Sequence, residues 1–114
     1  MAFGGLTGAI AHHERMKLRE EMFDPLAERF RGLGEPARLR ILNALRHGET
    51  AVGELAEATG LNQANLSKHL QLLHRLGFVR RRKQGLFVYY GLADDDVLQL
   101  CNIMCARLLP NRRR

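Results

Sequence analysis

Two cysteines near the carboxyl end of the chain carry the chemistry that could most readily be switched. Cys101 and Cys105 stand four positions apart in a predicted helix, so both thiols project on one face. Two soft ligands at this spacing could hold arsenite, or half of a tetrahedral zinc or copper site. The same thiols could instead be oxidised or persulfidated. A third ligand would have to come from a partner subunit or from the N-terminal arm, which contains His12 and His13.

Packing is the alternative role for the two cysteines. With Leu98 and Leu108 they form an apolar stripe, and an unpaired cysteine in a protein interior behaves as a small hydrophobic side chain. The residues alone therefore leave open whether the cofactor is arsenite, zinc or another soft metal, or whether there is none. Two cysteines are too few to staple a secreted domain of this size, which predicts a cytoplasmic location.

The second group of candidate residues is a long cationic segment. The chain has 18 Lys and Arg against 12 Asp and Glu in 114 residues, a net charge of +6. No acidic residue occurs between Glu57 and Asp94, a stretch that contains Lys68, Arg75, Arg80, Arg81, Arg82 and Lys83. A segment of one sign favours a nucleic acid as partner, because basic side chains neutralise phosphates and release counterions. An ordinary solvated surface is the alternative.

Helical periodicity organises the first half of this segment. A short helix capped by Thr50 is predicted first; Gly60 then turns the chain, and Asn62 caps a second helix over residues 63–75. The second helix has an apolar face of Leu66, Leu70 and Leu73 and an opposite polar face of Gln63, Ser67, Lys68 and Gln71. Two short helices joined by a glycine-containing turn predict a helix-turn-helix.

The second half of the segment predicts a β-hairpin. After Gly77 the apolar period changes from 3.6 to 2, which gives strands over residues 78–82 and 86–92 and a turn over 83–85. A helix-turn-helix followed by a hairpin is a winged helix, so the predicted fold class is mainly α with a β-hairpin (α+β).

This fold assigns DNA-binding roles to the two halves of the segment. Gln63 and Ser67 would meet base edges in a major groove about 12 Å wide, with Lys68 reaching a base or a phosphate. The hairpin, or wing, would bring cations to phosphates or to the adjacent minor groove, and these are Arg81, Arg82 and Lys83.

Further helices flank the winged helix. Residues 10–22 have a helix-forming composition, Asp24-Pro25 and Glu35-Pro36 each open a helix, and Asp94–Asp96 open the last one. We divide the chain into an N-terminal arm with an extra helix (1–23), a winged helix-turn-helix domain (24–110) and a basic tail (111–114). No apolar run reaches the ~18–20 residues that cross a bilayer, so no membrane partner is expected.

Three motifs make the chain similar to a known family. Residues 30–42, FRGLGEPARLRIL, resemble the F-x-A-L-G-D-P-T-R-L-x-I-L opening of ArsR-family (ArsR/SmtB-type) transcriptional repressors. Residues 61–70, LNQANLSKHL, resemble the family's L-S-Q-S-x-(V/L)-S-x-H-L recognition helix. Leu76–Val79 and Tyr89-Tyr90 complete the pattern, which covers roughly residues 26–108 in the family's order and spacing.

The resemblance implies a homodimeric, sequence-specific repressor that binds double-stranded DNA. In this family the first and last helices pair across a two-fold axis. Each protomer offers a recognition helix to one half-site of an imperfectly palindromic operator, with half-sites ~34 Å apart. Carried over by position, the base-facing residues are Gln63, Ala64, Ser67 and Lys68. His69 stands at the family's histidine position and is expected to pack or contact backbone rather than bind a metal.

Both well-known metal sites of the family are absent. Ala51 and Gly53 replace the cysteines of its E-L-C-V-C-D-L motif, and no histidine follows His74 to build the site on the last helix. Cys101 and Cys105 remain as the candidates for release from the operator by soft metal, arsenite, thiol oxidation or persulfidation. The alternative is a winged-helix regulator with no small-molecule site, controlled by abundance or by a protein partner. An enzyme, such as a thiol oxidoreductase, is disfavoured because the chain has no C-x-x-C motif.

Overall fold

The computed structural model of the chain describes residues 17–110, which divide into two compact units. The first unit ends at Arg31, and the second begins at Gly32. The predicted arm with His12 and His13, and the basic tail 111–114, lie outside the described residues. Within residues 17–110, none of the helices has both the length and the hydropathy that a membrane span requires.

The first unit contains a 3-10 turn and most of helix α1. Residues 17–19 have no regular structure, Glu20–Met22 form the turn, and α1 spans Phe23–Leu33. The sequence predicts a helix over residues 10–22. That prediction is wrong for residues 17–22, because Arg19 has an extended backbone and only a 3-10 turn follows it. Asp24 lies in the first turn of α1 rather than at its cap, a position where its charge still favours the helix dipole.

Helices α2 to α5 form the second unit together with a small sheet. Their bounds are Pro36–Ala44 for α2, Val52–Thr59 for α3, Gln63–Arg75 for α4 and Asp96–Ala106 for α5, with a further 3-10 turn at Leu45–His47. The predicted opening at Glu35-Pro36 is confirmed, since the Glu35 carboxylate accepts a hydrogen bond from the backbone N–H of Ala37 at 3.0 Å. Gly60 ends α3 with a left-handed backbone, φ +75°.

Strands β1 (Thr50–Ala51), β2 (Val79–Gln84) and β3 (Phe87–Leu92) form an antiparallel sheet in the order β1-β3-β2. Thr50 pairs with Tyr90 of β3, which fixes it as a strand residue. The prediction that Thr50 caps α3 is therefore wrong: Ala51 takes the cap position, and the Thr50 hydroxyl donates to the Gly48 carbonyl at 2.9 Å.

The hairpin between β2 and β3 is longer than predicted. Lys83 and Gln84 continue β2 and pair with Val88 and Phe87, so the predicted turn over residues 83–85 is wrong. The chain turns instead at Gly85-Leu86, where Gly85 adopts φ +60°, a conformation that glycine reaches without steric cost. Leu86, at the tip of the wing, is 96% exposed.

The core of the second unit is a single apolar cluster. It contains Ile41, Leu42, Leu45, Leu55, Leu66, Leu70, Leu73, Val79, Tyr90 and Val97. Each fully buried leucine or isoleucine contributes about 1.5–3 kcal/mol to the free energy of unfolding. The cluster thus fixes α4, the base of the wing and the start of α5 in one body.

Helix α5 begins where the acidic residues predict. The backbone N–H of Asp96 donates to a carboxylate oxygen of Asp94 at 2.9 Å. The helix ends at Ala106, with Arg107 as its C-terminal cap residue. Leu108 of the predicted apolar stripe therefore lies beyond the helix, and its side chain is 78% exposed.

Candidate nucleic-acid interface

Helix α4 presents a polar face because its opposite face is fixed in the core. The Asn62 side chain caps the helix by accepting a hydrogen bond from the backbone N–H of Asn65 at 2.9 Å, as predicted. The leucines of the apolar face, Leu66, Leu70 and Leu73, are at most 1% exposed. The residues of the polar face are exposed, and they are Gln63, Ala64, Ser67, Lys68 and Gln71. The predicted division of this helix into two faces is confirmed.

Strand β2 divides its cations between its two sides. Successive strand residues point to opposite faces, so Arg81 and Lys83 share the face of the buried Tyr90, which is the cross-strand partner of Arg81. We call this side the inner face of the wing. Arg80 and Arg82 lie on the other side, the outer face. The sequence predicts one cationic patch from Arg80 to Lys83, but the strand divides these four cations into two pairs with different surroundings.

The inner face and α4 border a common space. An open groove with a volume of about 650 Å³ separates them. Its lining comes from α4 (Gln63, Ser67, Leu70, Gln71, His74), from the wing (Arg81, Leu86, Phe87, Val88, Tyr90) and from residues 51–53. The fold thus brings together Gln63, Ser67 and Arg81, three of the residues predicted to bind DNA.

Three predicted DNA-binding cations have no electrostatic partner within the described part of the chain. Lys68, Arg81 and Lys83 are exposed and make no salt bridge with any residue between 17 and 110. Exposed cations without a salt bridge raise the potential around them, which favours contact with a polyanion.

Arg82, the remaining predicted wing residue, lies on the outer face and contacts three side chains there. Its guanidinium binds both carboxylate oxygens of Glu49, with Nε at 3.2 and 3.0 Å and Nη2 at 2.9 Å. The third nitrogen, Nη1, donates to the side-chain carbonyl of Gln84. The guanidinium also lies over the ring of Tyr89, 4.7 Å from its centroid. The hydrogen bond with Arg82 holds the pKa of the Glu49 carboxyl below its ordinary value.

Arg38 connects the start of α2 with α4. Its Nε donates to the Gly32 carbonyl at 2.6 Å, and its Nη1 lies 3.2 Å from Nδ1 of His69. Because a guanidinium only donates, Nδ1 of His69 is the acceptor in this contact. His69 is half-buried beside Arg38. This placement agrees with the expectation that His69 is a packing residue.

The two cysteines lie on α5 as predicted, in different surroundings. Cys101 is half-buried and Cys105 is exposed, and both are free thiols. Burial, with a smaller effect from Cys105, raises the pKa of the Cys101 thiol. Within residues 17–110, no group of three or more His, Cys, Asp or Glu side chains is placed to hold a metal ion.

Glu49 and Arg38 are the residues of this region that sequence reasoning missed. Glu49 lies 33 positions before Arg82 in the chain, so no local pattern joins them, and only the sheet brings them together. Arg38 is part of the family-like motif over residues 30–42, and that motif was the one available signal for it.

Comparison with known proteins identifies the family to which this winged helix belongs. The family model for bacterial regulatory proteins of the arsR family matches residues 35–81. The helix-turn-helix-type transcriptional regulator Rv0081 of Mycobacterium tuberculosis is 37% identical over 97 residues, which cover 82% of this chain and 85% of that protein. The chain belongs to the ArsR family. It is therefore a DNA-binding transcriptional regulator, and the expectation that it is not an enzyme agrees with its family.

Solved structures of ArsR-family relatives share the fold. The crystal structure of Rv0081 superposes with a TM-score of 0.72 at 36% identity, and covers 84% of this chain and 100% of that one. The NMR structure of Mb0332 from Mycobacterium bovis, described as a homodimeric winged helix-turn-helix DNA-binding domain, gives a TM-score of 0.74 at 30% identity. It covers 87% of this chain and 97% of that one. The predicted winged helix-turn-helix is confirmed.

A further relative is named for the operon that it represses. A probable mercury resistance operon repressor of Streptomyces lividans is 36% identical over 86 residues, which cover 75% of this chain and 67% of that protein.

Proposed function

We propose that this ArsR-family regulator is a cytoplasmic homodimeric repressor that binds an imperfectly palindromic operator and is released through chemistry at Cys101 and Cys105. The observation that carries the DNA-binding part is the groove between the polar face of α4 and the inner face of the wing. A groove with amides and a hydroxyl on one wall and a cation on the other suits base edges together with the adjacent phosphates.

Each wall has a distinct role in this proposal. Gln63 and Ser67 reach base edges in the major groove, where a glutamine amide can pair with adenine through two hydrogen bonds. Ala64 contacts a thymine methyl group or passes close to the bases without a polar contact. Lys68, Arg81 and Lys83 bind phosphates, since they have no salt bridge within the described residues.

The first and last helices supply the dimer contacts in this proposal. Helix α1 leaves Phe23 and Phe30 46% and 53% exposed, and α5 leaves Ile103 and Met104 both 62% exposed. Exposed large apolar side chains on a small protein favour burial against a partner. The homodimeric Mb0332 domain supports a second copy of the chain as that partner. A two-fold axis then presents two α4 helices to two related half-sites.

Helix α5, which carries the proposed switch, is connected to the base of the wing. Only residues 93–95 separate β3 from α5. The backbone N–H of Ala93 donates to the Phe78 carbonyl at 3.0 Å, and Val97 in the first turn of α5 is buried in the core. A ligand or an oxidised thiol that displaces α5 therefore also displaces the base of the wing.

The surroundings of the thiols assign different roles to them. The raised pKa of Cys101 lowers its thiolate fraction at neutral pH, so the exposed Cys105 is the thiol that first meets an oxidant or a soft metal. Two thiols leave a tetrahedral site half-filled. A bound metal would take its other ligands from the second subunit or from His12 and His13 in the arm.

In vitro selection of duplexes from a random pool, followed by footprinting, tests the DNA-binding proposal. We expect the protein to select two inverted half-sites whose centres are about one helical turn apart. Selection of single sites with no inverted repeat would contradict the dimeric arrangement. Failure to enrich any sequence would contradict specific binding altogether.

A further inference from the structure

We propose that Glu49 and Arg82 form a clasp across the sheet that holds the wing in place beside α4, so that Arg82 positions the wing and does not bind DNA. The proposal rests on the DNA-binding function proposed for α4 and the inner face of the wing. It assigns a positioning role to a cation that the sequence predicts to be a DNA ligand.

The clasp spans all three strands. Arg82 lies on β2, its cross-strand partner Tyr89 lies on the central strand β3, and Tyr89 pairs in turn with Ala51 of β1. Glu49 immediately precedes β1, and its contact with Arg82 places its carboxylate on the same side of the sheet. The guanidinium reaches Glu49 across the Tyr89 ring, which lies 4.7 Å below it. One side chain therefore joins the edge strand of the wing to the opposite edge of the sheet.

The far end of the clasp is anchored to the helix-turn-helix. Ala51 is the cap residue of α3, so β1 runs into the first helix of that motif without a loop. Leu55 of α3 is fully buried in the same core cluster as Leu66 and Leu70 of α4. A connection from Arg82 to Glu49 consequently fixes the wing relative to the body that carries the polar face of α4.

The guanidinium of Arg82 is directed at protein groups on the outer face. All three guanidinium nitrogens are already bound, two to Glu49 and one to Gln84. Strand alternation also turns Arg82 to the outer face, away from the groove that Arg81 lines. To reach a phosphate on the groove side, Arg82 would have to leave a bidentate carboxylate, its ring contact and its strand face together.

The two roles predict opposite signs for removal of Glu49. If Arg82 bound a phosphate, Glu49 would compete for it and repel DNA, so Glu49→Gln would strengthen binding. If the clasp positions the wing, Glu49→Gln weakens binding although it removes a negative charge. We expect Kd for a selected duplex to rise about two- to five-fold, the range expected for loss of one exposed ion pair. Glu57→Gln is the control, because Glu57 is an exposed acid of α3 without a salt bridge to any described residue.

Salt titrations separate positioning from phosphate binding at Arg82 itself. Arg82→Ala is expected to raise Kd to a similar extent with an unchanged slope of log Kd against log salt, and to have no additional effect in the Glu49→Gln background. A slope that falls by about one unit, or a Glu49→Gln variant that binds more tightly, would overturn the clasp. The melting temperature of each variant, measured without DNA, verifies that it is folded.

NMR of the free protein tests the clasp without any DNA. The side-chain carboxyl carbon of Glu49 should titrate below the ordinary range, and Arg82→Ala should raise its pKa because the hydrogen bond is lost. An unchanged Glu49 titration would overturn the clasp even if the wild-type protein binds its operator. A protein that selects no operator but shows this titration would contradict the proposed function and leave the clasp standing.

Discussion

Nη1 of Arg38 lies 3.2 Å from Nδ1 of His69, so that one side chain at the start of α2 is bonded to the middle of α4. The same guanidinium binds the Gly32 carbonyl through Nε at 2.6 Å. Lysine at position 38 could not make both contacts, because its single ammonium lacks the fork of a guanidinium. We expect Arg38→Lys to lower the free energy of unfolding by about 1–2 kcal/mol.

Urea denaturation checks this expectation, and Arg40→Lys is the matched control. Arg40 is exposed on the same helix, two residues further on, so its replacement should change the free energy of unfolding by less than about 0.5 kcal/mol. Equal stabilities for the two variants would mean that the contacts of Arg38 do not contribute to the fold.

Two glycines in and after α3 should respond oppositely to alanine. A Cβ on Gly60 or on Gly53 would meet no atom within 4 Å, so neither substitution creates a clash. Gly60 has φ +75°, which costs an alanine about 1–2 kcal/mol. Gly53 lies within α3, where alanine is favoured over glycine by up to about 1 kcal/mol. Thermal unfolding should therefore show Gly60→Ala melting below the wild type and Gly53→Ala at or above it.

Neighbouring cations of β2 should differ in their effect on the salt dependence of DNA binding. Arg81 lines the groove on the inner face, so Arg81→Ala is expected to raise Kd and reduce the slope of log Kd against log salt by about one unit. Lys68→Ala should act in the same way. Arg82→Ala serves as the internal comparison, with its slope unchanged. The inner-face assignment fails if Arg81→Ala leaves the slope of the wild type intact.

Gln63→Ala should relax sequence preference rather than weaken binding uniformly. Loss of a base contact from this amide is expected to cost about 1–3 kcal/mol on the selected operator and little on unrelated duplexes. Fluorescence anisotropy with both duplexes measures the ratio. Asn43→Ala on α2 is the control, since Asn43 is exposed and outside the groove. A Gln63→Ala variant with the wild-type ratio would show that Gln63 reads no base.

Replacement of the two thiols should separate DNA binding from release. Cys101→Ser and Cys105→Ser are expected to leave operator affinity within about two-fold, because neither residue is part of the core cluster. The wild type should leave the operator when arsenite, zinc, a persulfide or an oxidant is added, and the serine variants should not. Mass spectrometry identifies the adduct. Unchanged release of both variants would contradict a sensor role for the two thiols, whereas a wild type that none of these reagents releases would favour a regulator controlled by its abundance or by a protein partner.

Local signals account for the elements that were predicted correctly. The helix-turn-helix depends on the Asn62 cap, the turn at Gly60 and the leucine spacing of α4, and all of these act within a few residues. The polar face of α4, which is half of the candidate interface, could therefore be predicted from the sequence.

The errors occur where a residue is governed by a distant one. Threonine is a common helix-capping residue, but pairing with Tyr90 makes Thr50 a strand residue. The contact between Arg82 and Glu49 could not be predicted either, because only the sheet brings together two residues that lie 33 positions apart. The hairpin turn is predicted too early in the chain because Lys83 and Gln84 are weak strand formers. Their pairing with β3 nevertheless holds them in an extended conformation.

The alternation of cations along β2 limits how the wing can change in length. A one-residue insertion or deletion within the strand would exchange its two faces. Arg80 and Arg82 would then face the groove, while Arg81 and Lys83 would turn outward, so the clasp and the inner cations would be lost in a single event. Changes by two residues preserve the face that each cation occupies. We therefore expect functional length variants to change the strands by even numbers and to confine odd changes to the turn at Gly85-Leu86.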